Sequence, residues 1–327
     1  MGQAGRDLST AACGLAVLLL VPLFVHSPAF FDFAIRASAM TLFATSLNLL
    51  VGGTGLVSFG HGLFYGLGAY TFALLMQRTG LPLPVAIAAT LALSAMTALV
   101  VGAICIRLRA IYFAFVTLAM QMLFYSVIIA WSGLTGGDQG LQGGIPRRAL
   151  LGFDLGVQSN LYMASVVAAI AGLLLMRHIS AAPLGASLRM IRDNEPRAAF
   201  LGIVVWRAKL TIFVIAAVFA ALGGVLSALF VSGAYPEQAN WPNSGQAIFA
   251  VMLGGISSFL GPLVGTLILL ALNDVVSRFT EYHGLALGVV ILFVTLVFRR
   301  GVLDVAAARM GRSRARPAVP PDGAAVP

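Results

Sequence analysis

Apolar stretches of near-bilayer length follow one another through almost the whole chain, at roughly 8–25, 34–51, 58–77, 83–106, 110–131, 160–176, 210–231, 245–254, 262–279 and 284–298. A helix needs about 20 mostly apolar residues to cross roughly 30 Å of hydrocarbon, and most of these runs come close to that. Such a chain has few folds open to it. Backbone N–H and C=O groups in lipid must bond internally, which only helices and closed barrels achieve. A barrel requires alternating polar and apolar residues, and these runs are apolar throughout. Only 9% of the residues are charged, against about 25% in a soluble domain. The expected fold is all-α, a polytopic membrane protein with about 8–10 transmembrane helices.

Two Gly-rich breaks interrupt the series. The run at 245–254 is too short to cross as a full helix and ends in GGISSFLGP (254–262), after which the chain turns back. A second stretch, GGTGLVSFGHG (52–62), separates the runs on either side of it. Gly52, Gly53, Gly254, Gly255 and Gly261 are therefore the expected helix breaks. NLLVGGTGLVSFGHGLFYG and AVMLGGISSFLGPLVG share an apolar run, a Gly-Gly pair, a Ser-Phe step and a Gly-rich helix. That pattern suggests an internal repeat of the kind transporter folds contain. The alternative is the general use of Gly at helix ends and close contacts in membranes.

Charge is sparse but ordered. The net charge of +9 does not point to nucleic acid, because the basic residues sit beside the ends of apolar runs. With both termini inside, fifteen of the twenty Lys and Arg residues fall on the cytoplasmic side, as the positive-inside bias requires. The N-terminal run is long and lacks a small-x-small cleavage site, so it reads as a retained span rather than a signal peptide. Residues 1–298 read as one transmembrane domain, and 299–327, rich in Arg, Pro and Ala, as a disordered basic cytoplasmic tail. Cys13 and Cys105 lie inside apolar runs and read as small buried side chains.

The loop at 177–209 is the exception to this economy of charge. It holds Arg177, Arg189, Arg192, Arg197, Arg207 and Lys209 together with Asp193 and Glu195. Asn194 suits an N-cap, with Glu195 and Pro196 in the first turn and Gly202 as a left-handed stop. The prediction is a short helix over about 195–201, lying across the membrane surface. It either caps the bundle or fits a cleft in a cytoplasmic motor. On the second reading the coupling residues are Arg189, Arg192, Asp193, Asn194, Glu195, Pro196, Ala199 and Gly202.

Small residues mark close helix contacts: Ala216, Ala220, Gly223, Gly224 and Ser227 on one span, and the GxxxG pairs Gly62/Gly66 and Gly261/Gly265. Near the breaks, Asn48, Ser58, His61 and Gln121 could line a path for a zwitterion, or could satisfy backbone groups freed where helices unwind. His61 reads first as a capping or packing residue, and Asp274 as interfacial. The four histidines are scattered without metal spacing. No GxxxxGK[ST] loop occurs to cradle ATP phosphates, and no nucleophile–base pair appears within the runs.

Four stretches carry a family resemblance. They are SLNLLVGGTGLVSFGHGLFYGLGAYTFALL (46–75), TGGDQGLQGGIP (135–146), LGASLRMIRDNEPRAAFLGIVVWRAKLTIFVIAAVFAALGGVLSAL (184–229) and NSGQAIFAVMLGGISSFLGPLVGT (243–266). In this order they resemble permease subunits of the branched-chain amino acid ABC importers, of the LivM type. The resemblance implies a transport subunit, not an enzyme, in the bacterial inner membrane. It implies a second homologous permease, two ABC ATPase subunits that use ATP and Mg, and a periplasmic substrate-binding protein, with no cofactor in this chain. The implied cargo is branched-chain or other hydrophobic amino acids. Urea or short amides are the alternative, and an ion-coupled secondary transporter is a remoter one. The chain departs from the family at FRRGVLD (298–304), where members commonly carry Pro-Gly after the last span; that bears on subfamily and cargo.

Overall fold

The computed structural model describes residues 27–279 apart from 109, 143 and 146–153, together with 285, 288–289, 292 and 301–303. The expected first span at 8–25, most of the last run at 284–298, and the tail beyond 303 lie outside the described residues. The described helices are α1 (Pro28–Thr54), α2 (Gly62–Arg78), α3 (Leu83–Cys105), α4 (Ala110–Ala130), α5 (Ser132–Thr135), α6 (Gln158–Ala181), α7 (Pro183–Asp193), α8 (Glu195–Phe200), α9 (Val205–Val231), α10 (Trp241–Gly254) and α11 (Gly261–Phe279). Six of them, α1, α3, α4, α6, α9 and α11, are long and apolar enough to cross a membrane. This is an all-α, multi-pass membrane protein.

Burial separates these helices into two classes. In α1 and α9 the most apolar windows are 83% and 72% buried, whereas in α3 and α4 they are 22% buried. An apolar helix left this exposed belongs against lipid or another subunit. The centre is α9, which packs on α1, α2 and α3. Its Gly-Gly pair explains the fit. A Cβ on Gly223 would meet the carbonyl of Ala39 at 2.8 Å, and one on Gly224 would strike the carbonyl of Tyr65. The small residues thus let two neighbouring backbones close on the same helix from different sides, where packing drives association.

At one end of the bundle the loops after α4 and α9 are clasped together. Leu141 N–H donates to the Ala234 carbonyl at 2.8 Å, and each loop holds a short 3₁₀ turn, at Gly137–Gln139 and Pro236–Ala239. The same end carries a forked ion pair. Arg36 donates from both terminal nitrogens to the two carboxylate oxygens of Asp274, at 3.0 and 2.8 Å, tying α1 to α11 across 238 residues of sequence. Asp274 is therefore a partnered residue in a helix–helix contact, not only an interfacial charge.

Two expectations change. Gly52 and Gly53 are not the break: α1 continues through both to Thr54, and the left-handed stop is Gly55, at φ 75°. A helix tolerates interior Gly at a cost of about 1 kcal/mol, so Gly-Gly alone does not end one; a residue at positive φ does. The charged loop also holds two helices, not one, with α7 preceding the predicted short helix. Its apolar positions Leu188 and Ile191 are buried while Arg189 and Arg192 are exposed, a helical spacing hidden by the density of charge. Gly301, at φ 79°, is buried so tightly against the second break that a Cβ there would meet the backbone of Gly255.

Candidate functional site

The charged loop is a rigid projection. Asn194 Oδ1 accepts from Arg197 N–H at 2.9 Å, capping α8 at its start. At its end, Gly202 N–H donates to Ala199 O at 3.0 Å and Ile203 N–H to Ala198 O at 3.2 Å, with Gly202 at φ 86°. That pair of bonds is a Schellman stop. Glu195 in the first turn accepts from Lys209 Nζ at 2.7 Å, and the Lys209 side chain is buried at the start of α9. Arg192 donates to the Gly52 carbonyl at 2.7 Å, and Arg189 to the Ser180 carbonyl at 3.0 Å. The named residues therefore divide by role. Arg189, Arg192 and Glu195 strap the loop to the bundle, Asn194, Ala199 and Gly202 terminate α8, Pro196 lies in its first turn, and Asp193 closes α7 on the exposed side.

What the strapped helix presents is apolar. Phe200 is 92% exposed and Leu201 68%, with Val204 and Trp206 also exposed just beyond. Phe200 and Leu201 stand out from a doubly capped helix, not packed against the rest of the described bundle. Sequence reasoning named the helix and overlooked these side chains. Their signal was an apolar Phe-Leu pair ending a charged stretch.

The buried polar residues fall into two groups. At the start of α2, Gly62 N–H donates to Ser244 Oγ at 2.7 Å, Ser244 Oγ to Gln121 Oε1 at 2.8 Å, and Gln121 Nε2 to the Ala239 carbonyl at 3.0 Å. Gln121 and Ser244 thus satisfy backbone groups freed at a helix start and a turn end. His61 stands at the N-cap position of α2 but its side chain makes no cap. Its Nε2 lies 2.8 Å from Ser46 Oγ and its ring stacks on Phe43, with centroids 5.5 Å apart. Ser58 is buried nearby with no hydrogen bond to its hydroxyl. Asn48 belongs elsewhere. It lines a cavity of 240 Å³ beside the charged loop, together with Thr45, Gly52 and Ile256. Among the described residues, no group of three or more His, Cys, Asp or Glu is placed to hold a metal ion.

Comparison with known proteins fits this architecture. The chain is 27% identical over 314 residues to the high-affinity branched-chain amino acid transport system permease protein LivM of Salmonella typhimurium, covering 89% of this chain and 74% of that protein. The same figures hold for LivM of Escherichia coli K12. Similarity to the permease protein LivH of Salmonella typhimurium is 29% over 149 residues, 45% of this chain and 47% of that one. No solved structure matches. The profile of the branched-chain amino acid transport system permease component matches residues 29–298, so it spans both breaks and the charged loop alike, and the chain belongs to that family as a permease subunit of the LivM type.

Proposed function

We propose that this chain is the membrane-spanning half of an ATP-driven importer for branched-chain or other hydrophobic amino acids. A periplasmic binding protein delivers the cargo, a second homologous permease completes the path, and two ABC ATPase subunits hydrolyse ATP with Mg on the cytoplasmic face. The chain sits in the inner membrane with both termini in the cytoplasm and the charged loop at 177–209 facing the ATPases. The observation that carries this reading is α8. It is capped at both ends, strapped through Glu195 and Lys209, and exposes Phe200 and Leu201 to whatever docks there.

A strapped helix transmits force, whereas a loose one would absorb it. The Lys209–Glu195 bond fixes the start of α8 to the start of α9, the helix on which α1 and α2 both pack. Movement of α8 under an ATPase subunit is thereby passed to the centre of the bundle. Arg192 makes the second link, to Gly52 at the end of α1.

The test is copurification of the tagged chain from its native membrane, with mass identification of its companions and ATPase assay of the complex. A second permease and an ATPase should come with it, and Phe200→Asp should abolish retention of the ATPase. Glu195→Gln and Arg192→Gln should keep the complex but lower ATPase stimulation by loaded binding protein. Recovery of the chain alone in mild detergent would overturn the reading.

A further inference from the structure

The cavity beside the charged loop has a chemistry that neither the docking surface nor the buried polar bonds explain. It lies between the last turns of α1, the end of α6, the face of α7 and the second break. Arg177, Arg189 and Arg192 line its exposed side, and no Asp or Glu is among its described lining residues. Arg189 and Arg192 each place one bond on a backbone carbonyl, which leaves most of the five donors of each guanidinium for something else. Deeper in, Thr45 and Asn48 are 1% and 8% exposed, and Thr45 Oγ1 and Asn48 Oδ1 have no hydrogen-bond partner. A buried acceptor left unpaired costs about 1–3 kcal/mol, so these two oxygens call for a donor. Leu49, Ile212 and Ile256 supply an apolar wall.

We propose that this cavity binds the free aliphatic α-amino acid on the exit side, within this one chain. The carboxylate lies on the arginine forks, which recognise such groups in bidentate fashion. The ammonium donates to Asn48 Oδ1 and Thr45 Oγ1, and the aliphatic side chain lies on Leu49, Ile212 and Ile256. The volume of 240 Å³ is below the roughly 300–1,000 Å³ of pockets for drug-sized ligands, which suits one small metabolite. A carboxylate side chain from a docked protein would satisfy the arginines but leave both buried acceptors unpaired; a zwitterion satisfies all of them. Gly52 is needed for the shape, because a Cβ there would come within 3.0 Å of Asn48 Oδ1 and 3.1 Å of the Ile256 carbonyl. Bound here, the amino acid bridges α1, α7 and the second break, so product accumulating on the charged-loop side would hold the three together. The assignment rests on the amino-acid cargo proposed above.

The experiment is isothermal titration calorimetry on the full chain in lipid nanodiscs. The ligands are L-leucine, 4-methylpentanoate, which lacks the ammonium, and 3-methylbutylamine, which lacks the carboxylate. Leucine should bind saturably, and each half-ligand should bind roughly tenfold or more weakly, the loss of charge-assisted bonds. Asn48→Leu and Arg189→Gln should weaken leucine by a similar factor. Arg189 is exposed but also bonds the Ser180 carbonyl, so monodisperse elution of the variant in size exclusion checks that its fold is kept. Binding of 4-methylpentanoate as tight as leucine would overturn the site, as would leucine affinity unchanged in both variants. No saturable leucine binding, by a chain whose assembled complex still takes up leucine, would remove this site and leave the transport function standing. Asn48-dependent binding without uptake by the complex would support the site and remove the transport reading.

Discussion

The first break, Gly55–His61, and the second, Gly255–Leu260, each come at or just after a Gly-Gly pair and hold a Ser-Phe step, and are built in different ways. At the first, α1 and α2 part company and each packs on α9. Gly55 N–H is met locally by Val51 O at 3.0 Å, but Gly62 N–H is served by a side chain from a distant helix, Ser244 Oγ. At the second, α10 and α11 turn back on each other as a tight hairpin. Here both named groups are met locally, Gly255 N–H by Val251 O and, at the start of the next helix, Gly261 N–H by Ser258 O, each at 3.0 Å. A Cβ on Gly254, Gly261 or Gly265 would strike backbone of the facing arm of that helical hairpin. One break is therefore bonded to a distant helix through a polar side chain, and the other is closed by backbone approach between its own two helices. The same letters do not carry one repeated geometry, because the first uses Gly55 for a left-handed turn while the second uses glycine mainly for backbone approach.

If that contrast holds, the hairpin is the more fragile of the two. Gly265→Leu places a side chain on the Ala250 backbone, which has no freedom to yield. The expected cost is above about 4 kcal/mol, read as loss of monodisperse protein in fluorescence-detected size exclusion. Gly255→Ala is next. Its backbone sits at φ 114°, ψ 123°, outside the left-handed region that other residues visit, so the variant should lose about 3 kcal/mol by thermal unfolding in detergent. A variant as stable as the parent would show that the hairpin does not depend on this conformation.

The first break should respond through its polar bonds instead. Ser244→Ala leaves the Gly62 N–H buried without its acceptor and should cost about 2 kcal/mol. Combined with Gln121→Leu in a double-mutant cycle, it should show a coupling energy of about 0.5–3 kcal/mol, since Ser244 also donates to Gln121. Additive effects would mean that the two residues act separately.

This difference also sets what the letters could reveal. Apolar run length placed α3 and α4 to within a residue at each end, because membrane length is a property of one segment. Asn194, Glu195 and Gly202 were readable as the ends of α8 because caps are local. Helix α7 was masked by its charges, although Leu184, Leu188 and Ile191 repeat at helical spacing. Ser244 carried no signal at all: its partner Gly62 is 182 residues away, and only the packing of α10 brings them together. The same holds for Arg36 and Asp274, both visible as charges near the same membrane face but not as a pair. Thr45 and Asn48 stand in the same helix turn as residues with other roles, and what distinguishes them is the want of a bond, which only a fold can show.

The smallest effect separates glycine used for conformation from glycine used for space. Gly53 and Gly255 are each the second glycine of a Gly-Gly pair, so a reading from letters alone treats them alike. Gly53 is helical, inside the last turn of α1, and a Cβ there meets only Leu188, no nearer than 3.7 Å. Alanine fits that contact and has the better helix propensity by about 1 kcal/mol. Gly53→Ala should therefore raise thermal stability slightly, where Gly255→Ala lowers it. The gain should survive in the Arg192→Gln background, which loosens the Gly52 carbonyl from α7, because it comes from α1 itself. A loss at Gly53 comparable to that at Gly255 would mean the end of α1 unwinds during function or folding. The first break would then begin at Gly52, where the letters alone had placed it.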